Sequence, residues 1–256
     1  MEDCVRFIKA WMSEHDLKMN DSKTEFMLLA NKNTARQLDS PSLNVCGHDV
    51  PPSKTARNIG VVIDTSMSLN AHLTAVCNRG YRQLHAIAKM KKFMDRDSLE
   101  RIIHAFITSR IDYCNAILHG VRQDDMQKLQ RLQNAAARLL TGTKHITPVL
   151  EQLHWLPVVC RVKFKILVLV YKCLNNTAPP YLCELIARYV PARELRTVDQ
   201  LLLHVPFTTS EFIRTNVFRY VGPVLFNDLP THIRTAPSLE IFKSRLKTHL
   251  FTMYFT

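Results

Sequence analysis

The sequence predicts an α+β fold that is predominantly α-helical, with a small N-terminal antiparallel sheet followed by helices. Three observations carry that expectation. Short β-type runs broken by Gly and Pro are confined to the first 64 residues, helical periodicity of apolar residues runs through most of the rest, and 256 residues with 46% apolar and 22% charged content can bury a substantial core.

From Met1 to Asp16 the apolar residues Val5, Ile8, Trp11 and Met12 recur at helical spacing, after which "NDSK" turns the chain into the strand-like "TEFMLLA". "SLNVCGHDV" places β-type residues on both sides of Gly47. After Pro51–Pro52, "ARNIGVVID" reads as another strand-like run that ends at Asp64. The pattern changes near residue 66. Helices are expected over 69–94 and over 97–118, where Asp97 and Glu100 form a capping pair before Leu99, Ile102, Ile103 and Phe106. A third begins at Asp124–Asp125, carries Met126, Leu129, Leu132, Ala136 and Leu140 on its apolar face, and stops at Gly142. At about 100° per residue, Lys128, Arg131 and Arg138 lie opposite that face, with Gln127, Gln130 and Asn134 alongside.

The stretch "LHWLPVVCRVKFK" (153–165) sets cations at 161, 163 and 165, as one face of a strand would. The alternation does not last, because a strand would put Leu167 and Leu169 on the same face as Lys163 and Lys165. A helix over 158–174 instead brings Arg161, Lys165 and Lys172 within about 40° of each other and explains more positions, although Val-rich composition argues for a strand. Pro157 then sits just before the helix, where its missing N–H costs little. Between 178 and 238 repeated prolines make short elements. Ser238 is a good N-cap for a last helix, "LEIFKSRLKTHLF", with Leu239, Phe242, Leu246 and Leu250 facing the core. Three regions follow: 1–66, 67–145 and 146–256.

Net charge is +12, and it is uneven: residues 1–125 hold 17 Lys/Arg against 15 Asp/Glu, and residues 126–256 hold 17 against 7. The second half therefore points to a polyanionic partner, the backbone of RNA or DNA. No apolar run reaches the ~18 residues that a membrane span needs. The N-terminus is acidic where a signal peptide would be basic, so an intracellular location is expected, nuclear and cytoplasmic not being distinguished. Seven scattered cysteines without a C-x-x-C pair read as reduced, mostly buried thiols.

Six glycines leave no G-x-S-x-G, P-loop or dinucleotide fingerprint. His154, Cys160, Cys173 and Cys183 are too irregularly spaced for a zinc site, and His154 reads as a boundary residue rather than as the base of a Cys160 hydrolase. No cofactor or metal is expected. Asp124–Asp125 reads as a charged helix start and not as the metal-holding pair of a polymerase, which needs a strand-turn-strand.

The motifs "LKMNDSKTEFMLL", "ARNIGVVID", "SRIDYCNAILHG", "LQRLQNAAARLL", "LEQLHWLPVVCRVKFKI", "APPYL", "LFNDLP" and "FKSRLKTHLF" occur in one order. Together they resemble the C-terminal part of the reverse-transcriptase polyprotein of LINE-type, non-long-terminal-repeat, jockey-like retrotransposons. The resemblance implies the end of a polymerase palm over 1–66, a thumb-like helical region over 67–145 and a basic helical C-terminal region. It implies a vestigial polymerase lysine at Lys23, and template–primer contact by the helix that contains "LQNAAARLL". The family's F/Y-x-D-D turn precedes the segment matched by "LKMNDSKTE", so the expectation is a truncated, catalytically inactive remnant of an RNA-directed DNA polymerase. It would bind nucleic acid non-specifically through Lys128, Arg131, Arg138, Arg161, Lys165 and Lys172. The alternative is a co-opted helical protein-interaction module without a nucleic-acid role, self-associating through residues 1–64.

Overall fold

The computed structural model describes residues 2–20, 23–29, 42–45, 47–191 and 201–255. Asp21 and Ser22 of the expected turn, Ala30 and Cys46 lie outside the described residues. The described part is predominantly helical with a small antiparallel β component. It divides into two compact units, residues 1–75 and 76–256.

In the first unit, helix α1 (Glu2–Glu14) buries none of its residues, and the Glu2 carboxylate accepts the Asn44 amide at 2.9 Å. Strands β1 (Leu43–Val45) and β2 (His48–Val50) pair antiparallel around Gly47, which takes φ +95°. Two expectations are corrected here. "ARNIGVVID" is a hairpin and not one strand: β3 (Thr55–Asn58) pairs with β4 (Val61–Asp64) across Ile59–Gly60. Both turn residues have positive φ, +44° and +82°, as a two-residue turn matched to strand twist requires, and the β-type Ile59 at that position conceals it from a composition reading. "TEFMLLA" forms no strand among its described residues; Phe26 makes a single bridge to Pro52 and accepts the Ser53 amide at 2.7 Å. Pro51 and Pro52 have no N–H to extend a ladder there.

Asp64 ends β4 and organises the passage into helix α2 (Asn70–Met90). Its carboxylate accepts the amides of Ser66, Ser68 and Leu69 and both serine hydroxyls, at 2.6–3.1 Å. Burial alone would raise its pKa, but these hydrogen bonds hold it below the usual carboxylate value.

In the second unit, α3 (Arg96–Ile103) starts at Asp95, whose side chain accepts the Ser98 amide at 2.7 Å. The capping residue is therefore Asp95 and not Asp97; its extended backbone lets the carboxylate fold over the first turn. The expected helix over 97–118 is divided. A π-helical turn, His104–Thr108, leads into α4 (Ser109–Asp112), and Cys114 at φ +52° breaks the run before a 3₁₀ turn at Asn115–Leu118. Next come α5 (Gln123–Thr141), closed by Gly142 at φ +75°, α6 (Ile146–Gln152) and α7 (Val158–Leu174). The Val-rich run is thus helical.

After α8 (Pro180–Cys183), α9 (Glu211–Asn216), α10 (Phe218–Asn227) and α11 (Thr231–Arg234), the chain ends in α12 (Leu239–Phe255). Ser238 Oγ accepts the Ile241 amide at 3.3 Å, and Phe242, Leu246 and Leu250 are buried. Helix α7 is the axis of this unit. Its Leu167, Val170 and Tyr171 pack with Phe226 of α10 and with Phe242 and Leu246 of α12. The Tyr171 and Phe242 rings stack at 4.4 Å, and the Tyr171 hydroxyl donates to the Ala236 carbonyl at 2.8 Å.

Gly80 lets α2 approach α5 closely, since a Cβ there would lie 2.5 Å from Cδ2 of the fully buried Leu132. Gly80→Ala is therefore expected to destabilise the protein by about 1–3 kcal/mol through overpacking, more than the ~1 kcal/mol that better helix propensity returns. Thermal unfolding checks this. The loss should shrink when Leu132→Val is combined with it, and a raised Tm in the single variant would contradict the packing.

Candidate nucleic-acid interface

Helix α5 buries Met126, Leu129, Leu132, Ala136 and Leu140, the face its sequence predicts. On the opposite face Arg131 and Arg138 are exposed, and neither guanidinium forms an ion pair or hydrogen bond with another described residue. Tyr81, on α2, lies within their electrostatic reach and is 43% exposed. Burial raises its phenol pKa, as does Cys77, while the guanidiniums of Arg131 and Arg138 pull it partly back. Two cations and an aromatic ring thus share one surface. Tyr81 is the aromatic that sequence reading missed, because α2 and α5 become neighbours only through packing.

Lys128 has a different position. Its ammonium donates to Asp125 at 2.7 Å, and Arg122 reaches the same carboxylate at 3.1 Å. Asp125 is 2% exposed. The Lys128 hydrogen bond, against the opposing effect of burial and with help from Arg122, holds its pKa below the usual value. Lys128 is thus committed to the start of α5.

Gln130, expected beside the cations, instead turns inward. Its Oε1 accepts the Val158 amide at 2.9 Å and its Nε2 donates to Gln133 and Asn134. Gln133 donates to the Leu156 carbonyl at 2.9 Å. The cause is Pro157, which occupies the N-cap of α7 without a side-chain acceptor, so the first amide of α7 needs a partner from elsewhere.

The three cations expected on α7 are not equivalent. Arg161 donates through Nε to the Leu156 carbonyl at 2.9 Å and through Nη1 to Asp112 at 2.7 Å, leaving its side chain 16% exposed. Lys165 is exposed and Lys172 is half-buried, while Val168, within about 40° of both Arg161 and Lys172 on the helix, is buried. Lys23 belongs to the first unit and is exposed, its amide donating to the Asn20 carbonyl at 3.1 Å.

Near the start of α7 the second unit holds a cleft of about 420 Å³, lined in part by His104, Asp112, Asn115, Trp155, Arg161 and Lys165. Burial raises the Asp112 carboxyl above its usual value, with Arg161 opposing. His104 lies 3.6 Å from Glu100 and packs against Trp155 at 5.0 Å. Nothing in the sequence joined Asp112 to Arg161, which lie in separate helices and meet only in the fold.

No group of three His, Cys, Asp or Glu side chains among the described residues could hold a metal ion. Cys160 is buried with its thiol toward the Leu250 carbonyl, and burial, opposed by Lys163, raises its pKa. The exposed His154 packs against Phe251 at 5.6 Å. No helix among the described residues is long and apolar enough to cross a membrane. No family model, curated protein or solved structure matches the chain.

The different settings of the three α5 cations give different expected costs. Lys128→Met should lower stability by about 1 kcal/mol, whereas Arg131→Ala and Arg138→Ala should each stay within about 0.5 kcal/mol of the parent. Because the folded-state pKa of Asp125 is depressed, its stabilising contribution is full above the ordinary carboxylate value of 3.8 and is lost as pH falls through the depressed value. Urea titrations between pH 3 and 7 check both points; Lys128→Met should lose its acid tolerance first.

Proposed function

We propose that this chain is a post-palm segment of a LINE-type reverse transcriptase, thumb-like in its helical region, and that it binds nucleic-acid backbone without polymerase chemistry of its own. The observation that carries the binding is the open face of α5, where Arg131 and Arg138 are exposed without an ion-pair partner among the described residues and Tyr81 stands beside them. Unpaired guanidiniums neutralise phosphates and release counterions, and a neighbouring aromatic ring can stack on an unpaired base. The ordered motifs support the family assignment. The proposal assigns binding alone because the sequence contains no F/Y-x-D-D, and its one adjacent aspartate pair lies in the first turn of α5 with Asp125 clasped by two cations.

A second reading, a protein-interaction module, is favoured by α1, where Phe7, Ile8 and Trp11 are 72%, 45% and 48% exposed. Self-association through residues 1–64 would cover them.

Fluorescence anisotropy on a labelled RNA–DNA hybrid separates the two. Four to six phosphate contacts give an expected log–log salt slope of roughly −3 to −5 and an affinity on the order of micromolar at physiological salt. Arg131→Ala combined with Arg138→Ala should reduce the slope by about two units. An unchanged slope would remove α5 from the interface, and no binding at low salt would leave the interaction module.

A further inference from the structure

We infer that the face shared by α2 and α5 takes single-stranded nucleic acid in preference to a duplex, with Tyr81 stacking on an unpaired base while Arg131 and Arg138 hold phosphates. The inference deepens the proposed α5 interface and rests on it.

Two contacts define this face. At the first, Gly80 of α2 lies so close to α5 that a Cβ there would sit 2.5 Å from Leu132 Cδ2. At the second, Lys91, just beyond α2, donates to the Leu139 carbonyl at 2.6 Å. The contacts advance together along both chains, so the two helices run in the same direction. Tyr81 follows the contact residue of α2, and Arg131 and Arg138 each precede a contact residue of α5. At about 100° per residue, the position after one contact and the position before the other emerge on the same side of two helices so aligned. The ring and both guanidiniums therefore share one side of the seam. Burial and Cys77 raise the Tyr81 phenol pKa and both guanidiniums oppose them, in keeping with that arrangement.

The charge around the ring suits a nucleic-acid strand. Helix α2 contains no Asp or Glu, and α5 contains only Asp124 and Asp125. Asp125 is buried beneath Lys128 and Arg122, and Asp124 lies ~10 Å before Arg131 along the helix axis. Neither helix thus sets a carboxylate beside the two arginines.

Tyr81 decides which kind of strand. In a duplex each base face is covered by its neighbours, so a ring that is 43% exposed gains nothing from it, whereas an unpaired base offers a face to stack on whatever its identity. Charge alone gives the opposite preference. A duplex has the denser charge and releases about 0.9 counterion per phosphate contact, against about 0.7 for a single strand. A preference for the single strand therefore reports the ring and not the arginines.

Anisotropy titrations at low salt use labelled DNA of about 12 nucleotides in three forms: a single strand, its duplex, and an abasic strand of the same length and charge. The single strand should bind tightest, by about tenfold over the abasic strand, within what one base–aromatic stack contributes. Tyr81→Leu should remove that tenfold discrimination. Tyr81→Trp should keep or enlarge it, since the larger ring stacks at least as well, and it provides the test if the leucine variant folds poorly. Duplex bound more tightly than single strand, abasic strand bound as well as the base-bearing one, or parental discrimination in Tyr81→Leu would each overturn the inference and leave the arginine interface standing. Arg131→Ala with Arg138→Ala should weaken all three probes and lower their salt slopes. Unchanged slopes in that variant would overturn the interface itself, and the inference with it.

Discussion

The second unit depends on how the buried start of α7 satisfies its backbone. Trp155, Leu156, Pro157 and Val158 are all buried, so the polar groups between them cannot turn to water. Three side chains meet that need: Gln130 accepts the Val158 amide, and Gln133 and Arg161 both donate to the Leu156 carbonyl. With Gln130 and Gln133 committed to α7, the rotation of α5 about its own axis is fixed. Arg131 and Arg138 stand about 80–100° around from Gln130 and are therefore turned outward. The same constraint draws Arg161 down onto Asp112, fixing a wall of the cleft.

Much of this was legible in the sequence, for particular reasons. Both ends of α7, the start of α12, the Gly142 stop and the buried face of α5 follow from helical period and capping chemistry, both local. Arg131 and Arg138 were legible as exposed cations for the same reason. What was hidden is what long-range packing decides. Gln130 is polar and lies between the two faces of its helix, so period alone could not show that it caps another helix 28 residues away. Arg161 looked like a free cation because its partner, Asp112, precedes it by 49 residues. The β3–β4 turn was hidden by Ile59, whose side chain favours a strand while its backbone adopts positive φ. The π turn at His104–Thr108 carries no composition signal at all.

Two polar surfaces of one unit thus have different physical characters. The face of α5 is open, its guanidiniums hydrated and screened by salt, which suits many weak phosphate contacts along a strand. The cleft is concave, and its lining combines exposed lysines with the Asp112–Arg161 ion pair. The sequence placed six cations of α5 and α7 in one class. The fold separates them into Lys128 and Arg161, which hold carboxylates, and Arg131, Arg138, Lys165 and Lys172, which have no ion-pair partner among the described residues.

The central claim is that the open face of α5 is where nucleic acid lies. Arginine-selective footprinting with and without an RNA–DNA hybrid, read by peptide mass spectrometry, tests it most directly. The account predicts that hybrid protects Arg131 and Arg138 from modification while the exposed Arg245 on α12 reacts equally in both. Equal modification of Arg131 and Arg138 with and without saturating hybrid would contradict it.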